Sequence, residues 1–205
     1  EAWSTNFDLY SVAADGNGTP KNLTAGNLAM DTGPVFSHDG KTLYYRAMKR
    51  ATFEADRLAV MAMDLATGTQ REINAAWDRS ADSLSLSADG KTLYTVSDDV
   101  GSHALFAIDV NTGTPRKLAG NGTVSGFDVV GNTLVFARST LTSPAQLFSA
   151  DAKGGKLKQI SNFNADKLKD IAMGAYEQFN FKGWNNETVY GYVVKPANFD
   201  KNKKY

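Results

Sequence analysis

Phe36-Ser37-His38-Asp39-Gly40-Lys41-Thr42-Leu43-Tyr44 recurs as Leu86-Ser87-Ala88-Asp89-Gly90-Lys91-Thr92-Leu93-Tyr94, an offset of 50 residues. A second motif travels with it. Val60-Met61-Ala62-Met63-Asp64-Leu65-Ala66-Thr67-Gly68-Thr69 recurs as Leu105-Phe106-Ala107-Ile108-Asp109-Val110-Asn111-Thr112-Gly113-Thr114, an offset of 45. Weaker copies flank these, Leu9-Tyr10-Ser11-Val12 before them and Leu147-Phe148-Ser149-Ala150 after. A third hairpin, Phe127–Phe136, keeps the shape but replaces Asp-Gly-Lys by Gly131-Asn132. A period of about 42 to 51 residues is that of propeller blades.

The chemistry of the unit agrees with its period. Asp-Gly and Gly-Asn supply the positive φ angles of tight hairpin turns. Short β-branched and aromatic runs flank each turn, the composition of strands. The Asp-x-x-Thr-Gly-Thr stretch makes a second, wider turn before a short polar strand. Two hairpins in series give a four-stranded meander, apolar on both faces and unstable alone. Stacking neighbours around an axis buries those faces. The fold class is therefore all-β, a partial β-propeller of four-stranded antiparallel blades. Two trailing strands fall at about 6–24, and full blades at about 34–73, 83–118 and 123–160. The propeller segment spans 1–162, about three and a half blades. With too few blades to close a ring, either more of the propeller belongs elsewhere or copies associate through the exposed blade edges as a homo-oligomer. The sequence opens on Glu1 in mid-pattern, which suggests a fragment of something longer.

Residues 163–205 change character. Asn164–Ile171 reads as a turn or two of helix with Asn164 as N-cap. A hairpin follows: Glu177–Phe181, a turn over 183–187, then Thr188–Val194, ended by Pro196. It does not match the blade pattern.

Composition removes several function classes. The 22 basic and 22 acidic residues cancel, which leaves no basic footprint for nucleic acid. No apolar run is long enough to span a bilayer. With no cysteine, disulfides, thiolate zinc sites and cysteine nucleophiles are absent. The two histidines, His38 and His103, sit in turn-like settings and read as solvated turn residues, so no metal or other cofactor is expected. Richness in Asn, Thr and Ala leans towards the bacterial periplasm.

Three stretches resemble the prolyl oligopeptidase family of serine peptidases, and within it the acylaminoacyl-peptidase and dipeptidyl-peptidase 5 group. They are Phe53-Glu54-Ala55-Asp56-Arg57, then Trp77-Asp78-Arg79-Ser80-Ala81-Asp82-Ser83, and the segment Tyr176–Trp184 with Val189–Asp200. The resemblance covers nearly all of the chain. The last segment discriminates best, because the blade repeats also resemble TolB-like propellers. By this resemblance, the hairpin leads into an α/β-hydrolase domain, absent here, that acts in cis. The propeller caps the active site, restricts access to short peptides and helps bind the substrate's N-terminal end.

The family's chemistry is acyl transfer by a Ser-Asp-His triad with the serine in a Gly-x-Ser-x-Gly elbow. No such elbow occurs. Gly122-Thr123-Val124-Ser125-Gly126 puts Ser125 at the start of a blade strand, so no catalytic residue is assigned and the segment alone is expected to be inactive. Candidate substrate-binding residues lie on the loops of the side that, in the family, faces the hydrolase. Glu54, Asp56 and Arg57 lie between strands two and three of a blade, and Trp77, Asp78 and Arg79 on the connection to the next. An acid there pairs with a substrate ammonium, and an arginine holds a carbonyl or carboxylate. The alternative is that these charges pair with one another and pin the loops, with Trp77 as loop packing. The competing function is a free-standing TolB-like propeller that binds protein partners.

Overall fold

The computed structural model describes residues 3–205; Glu1 and Ala2, on which the expected propeller segment opens, lie outside them. The chain divides into two compact units. The first runs to Ser97 and includes Leu105–Leu118; the second comprises Asp98–Ala104 and Ala119–Tyr205.

The first unit begins with a two-stranded ladder, β1 (Tyr10–Ser11) and β2 (Lys21–Asn22). A four-stranded antiparallel sheet follows: β3 (Asp31–Phe36), β4 (Thr42–Ala47), β5 (Ala59–Asp64) and β6 (Gln70–Glu72). The next meander is β7 (Ser85–Leu86), β8 (Thr92–Asp99), β9 (Ser102–Asp109) and β10 (Pro115–Ala119). The tip of its central hairpin, Asp98–Ala104, belongs to the second unit. These ladders fall where the repeat placed its first two full blades.

Alternation along the strands makes both faces of the first sheet apolar. Tyr44, Val60, Ala62 and Ile73 turn to one side and pack with Ala81 of the following connection and with Leu93, Ile108 and Val110 of the next meander. Leu43, Tyr45, Ala47 and Met63 turn to the other and pack with Leu9 and Leu23. Leu43, Val60, Leu93 and Ile108 are at most 1% exposed. Each such side chain is worth about 1.5–3 kcal/mol on burial. The stacking of blades, more than the ladder of any one, therefore holds the unit together.

The repeated turn differs from its sequence reading in one respect. Only the glycines take positive φ, Gly40 at 68° and Gly90 at 71°. A type I′ turn needs two such residues, so this is a longer loop with glycine in the left-handed position. The aspartate organises it instead. The Ser37 hydroxyl donates to Asp39 Oδ1 at 2.6 Å, and the Lys41 amide donates to the same oxygen at 3.1 Å. Thr42 N in turn donates to Ser37 Oγ at 2.9 Å. Ser87, Asp89, Lys91 and Thr92 repeat the network at the same distances. The serine hydroxyl bond, then the lysine amide, hold both aspartates below the usual carboxylate range. The wider turn docks on this one: Leu65 N donates to Lys41 O, and Val110 N to Lys91 O. His38 belongs to the same end, its Nε2 lying 2.9 Å from Ser87 O. It thus ties one blade's turn to the next, although it is exposed.

In the second unit, β11 (Thr123–Val130), β12 (Thr133–Thr140), β13 (Ser143–Asp151) and β14 (Lys158–Gln159) form a third antiparallel meander. Phe136 and Phe148 stack at 5.7 Å, with the Arg138 guanidinium 4.1 Å above Phe148. A parallel bridge joins Thr123 to His103. The helix α1 is a single turn, Ala165–Leu168. Asn164 precedes it but makes no side-chain cap bond, because its backbone (φ −114°, ψ 18°) lacks the extended geometry a cap uses. A last hairpin, β15 (Tyr176–Lys182) and β16 (Thr188–Val194), closes over a 3-10 turn at Trp184–Asn186.

Candidate functional site

The β4–β5 loop (48–58) and the connection after β6 (73–84) lie side by side in the first unit. Ala81 N donates to Leu58 O at 3.0 Å, and Leu58 N donates to Ser80 Oγ at 3.1 Å. Arg46, from β4, reaches the same connection and donates to Ala81 O and Asp82 O. Both stretches of candidate residues are thereby brought to one end of the unit.

Within that end, most of the charged groups are engaged. Asp56 accepts the Lys49 and Arg50 amides at 2.8 and 2.7 Å. Burial raises its pKa, but these bonds outweigh it and the net shift is downward. Arg57 pairs with Glu72 of β6, which also takes Lys49 Nζ at 2.6 Å. Burial acts to raise the Glu72 carboxyl, and the two cations together hold it below its ordinary value. Asp78 pairs with its neighbour Arg79. Trp77 packs edge-on against Phe106, ring centres 5.1 Å apart, beside the shared core. Glu54 stands apart: it is exposed and pairs with none of the described residues. Sequence reasoning did not pick out Glu72, because the charges it gathers are 15 and 23 residues away.

The second unit holds a feature that no motif announced. The hairpin tip at Gly101-Ser102, the loops 121–123 and 139–141, and Tyr176, Gln178 and Tyr192 of the last hairpin enclose a cleft of about 510 Å³. Gln178 Nε2 donates to Val100 O at 2.7 Å, across 78 residues of sequence. The Tyr192 ring lies over the Gly101 backbone and meets Tyr176 edge-on at 6.1 Å. A neighbouring groove carries Asp98, His103 and Ser125. His103 lies in β9 with its Nδ1 2.9 Å from Oδ1 of Asp98 on β8, so this histidine is a strand residue with a carboxylate partner and not a solvated turn residue. Ser125 sits at a bulge of β11, between Val124 and Gly126. That is blade strand, not the strand-to-helix elbow that activates a serine.

No family model matches the chain. Curated relatives do. Dipeptidyl-peptidase 5 of Aspergillus fumigatus is 32% identical over 200 residues, 93% of this chain and 27% of the relative. Dipeptidyl-peptidase 5 of Porphyromonas gingivalis is 29% identical over 203 residues, 98% of this chain and 30% of the relative. The chain thus spans less than a third of the length of these relatives. Among solved structures, the acylaminoacyl peptidase of Pyrococcus horikoshii superposes with a TM-score of 0.72 at 21% identity, over 92% of this chain and 28% of that one. A putative TolB from Agrobacterium tumefaciens superposes at 0.59 with 19% identity, over 73% of this chain and 55% of that one. The structural likenesses carry the propeller fold, and the sequence likeness extends through the last hairpin. The chain is a propeller-type segment homologous to part of dipeptidyl-peptidase 5, in the prolyl oligopeptidase family that its loops and last hairpin resemble.

Proposed function

We propose that this chain is the substrate-gating propeller segment of a serine exopeptidase, a dipeptidyl or acylaminoacyl peptidase that cleaves short peptides. Residues 1–162 are its partial propeller, and 163–205 link it to a hydrolase domain in cis. The observation that carries this reading is the 32% identity to a dipeptidyl-peptidase 5 across 93% of the chain. A likeness confined to blade repeats would stop before the last hairpin. The segment holds no serine elbow, so the triad belongs to the hydrolase domain and the segment alone does not turn over substrate.

On this reading the loop end bearing Glu54, Asp56, Arg57, Trp77, Asp78 and Arg79 faces the hydrolase. Glu54 is the group best placed to meet a substrate ammonium, since Asp56 and Arg57 are committed to the loops. The test is an assay of the protein with and without the hydrolase domain, on dipeptidyl and acylaminoacyl reporter substrates, with a fluorophosphonate label for the active serine. Turnover and labelling only with the hydrolase domain support the proposal. Labelling of the segment alone overturns it.

The TolB likeness favours a second reading, a propeller that binds protein partners. It predicts a stable complex with a folded partner and no reporter turnover by any longer form of the protein.

A further inference from the structure

The first unit contains a buried carboxylate that its own fold leaves half-satisfied. Asp31 opens β3 and is 3% exposed. Its backbone amide is used, donating to Phe7 O at 2.8 Å. Its Oδ1 accepts Asn27 Nδ2 at 3.1 Å, while its buried Oδ2 has no partner. A buried polar atom without a partner is rare and calls for a physical cause, such as a bound water or ion. Ionised carboxylates are costlier still to leave unpaired.

Asp31 lines a cavity of about 390 Å³ shared with Asn27, Tyr45, Met48, Met61 and Gln70, a volume within the range of small-molecule sites. The Thr24 hydroxyl lies near enough to lower the Asp31 carboxyl, but it donates to Asp8 Oδ1 and accepts the Leu9 amide, and the other groups around the cavity do not supply the missing donor. Both protons of the Asn27 amide are taken, by Asp31 and by Met48 O. The Tyr45 hydroxyl donates to Gln70 Oε1 at 3.0 Å. Lys49 stands at the cavity, but its ammonium is held by Glu72 at 2.6 Å. Asp8, whose charge also acts on Asp31, adds further negative field and itself binds Asn22 and Thr24.

We infer that this cavity binds a primary alkylammonium group, with Asp31 as its counter-ion. A cationic donor suits it better than a neutral one, because the unpaired atom is an anionic acceptor in a field that Asp8 makes more negative. An ammonium suits it better than a guanidinium. Only one carboxylate oxygen is available, and the planar fork of arginine needs two. Gln70 Oε1 keeps a second lone pair for another ammonium proton. Tyr45, Met48 and Met61 give the alkyl arm an apolar, deformable wall. A carboxylate turns about a soft terminal torsion, so Oδ2 can swing to the ligand without backbone movement. This inference stands apart from the peptidase reading and survives its failure.

The test is calorimetric titration of the chain near neutral pH with n-butylammonium chloride, with acetyl-Gly-Lys-Gly-amide, and with potassium chloride as control. Saturable binding of the amine is expected, weakened at least about tenfold in Asp31→Asn, since one charge-assisted contact is worth about 1.5–3 kcal/mol. Gln70→Leu, on an exposed strand position, should weaken it several-fold. If the lysine peptide binds much more tightly than butylammonium, the natural occupant is a lysine side chain; comparable binding points to a free amine. No saturable heat from either amine, an equal response to potassium, or undiminished binding by Asp31→Asn overturns the inference. Should circular dichroism show Asp31→Asn unfolded, undiminished binding by Gln70→Leu overturns it in the same way.

Discussion

Replacing Asp31 by Asn should stabilise the protein, and the gain should depend on pH. Burial pushes the Asp31 carboxyl up from 3.8 to about 6, despite help from Asn27 and Thr24, with Asp8 adding repulsion. The fold therefore prefers the neutral acid. Between the unfolded value and about 6, the native state holds a proton that the unfolded chain has released, so stability falls as pH rises through that window. A rise from 3.8 to about 6, at about 1.4 kcal/mol for each pH unit, amounts to about 3 kcal/mol once the pH is well above 6. Asparagine has the same shape, carries no charge at any pH and keeps an oxygen for Asn27. Urea unfolding of both proteins from about pH 4 to about pH 8 should show Asp31→Asn ahead by about 1–3 kcal/mol at the upper end. The gap should close towards the lower end. A pH-independent difference, or a variant less stable than wild type at pH 8, would refute the reasoning.

Three further perturbations test other parts of the structure. Gly68 and Gly113 occupy equivalent repeat positions at φ 74° and 69°, but a Cβ on Gly113 would lie 1.8 Å from Ile73 O while one on Gly68 meets nothing within 4 Å. Gly68→Ala should therefore cost only the left-handed strain of about 1–2 kcal/mol, and Gly113→Ala clearly more, as compared by thermal melts. Glu72→Gln leaves Arg57, three-quarters buried in its side chain, without its counter-ion; a loss of about 1–3 kcal/mol is expected, read in urea midpoints. Gln178→Ala removes the bond to Val100 O, worth about 1 kcal/mol. Amide exchange in Tyr176–Lys182 and Thr188–Val194 should speed up while the β3–β6 ladder stays protected.

The blades were legible because their signal is local. Asp39-Gly40-Lys41 and Asp89-Gly90-Lys91 are visible as letters, and each turn's hydrogen bonds close within five residues. What escaped reading is what the chain assembles from a distance. Only Asn27 is near Asp31 in sequence, and it does not mark the carboxylate as buried; Phe7, Tyr45 and Gln70 surround it only after the strands stack. Gln178 and Val100 likewise meet across two meanders' worth of sequence. The charged loops were an intermediate case. The resemblance and the loop positions singled out Asp56, Arg57, Asp78 and Arg79, but not that Asp56 would be taken by amides of its own loop or Arg57 by a carboxylate on β6. The turn type was misread because aspartate beside glycine also suits a loop in which the side chain, not a second positive φ, sets the geometry.

The two ends of a blade are tied down in different ways. At one end the short turns bond to each other through Lys41 O and Lys91 O, so a change in either turn disturbs both, and their letters stay alike from copy to copy. At the other end the 48–58 loop and the 73–84 connection rest on a few contacts from Arg46, Leu58 and Ser80. Insertions and substitutions there leave the ladders untouched. A lineage can thus remodel what one end of the blade recognises while the other end keeps the register.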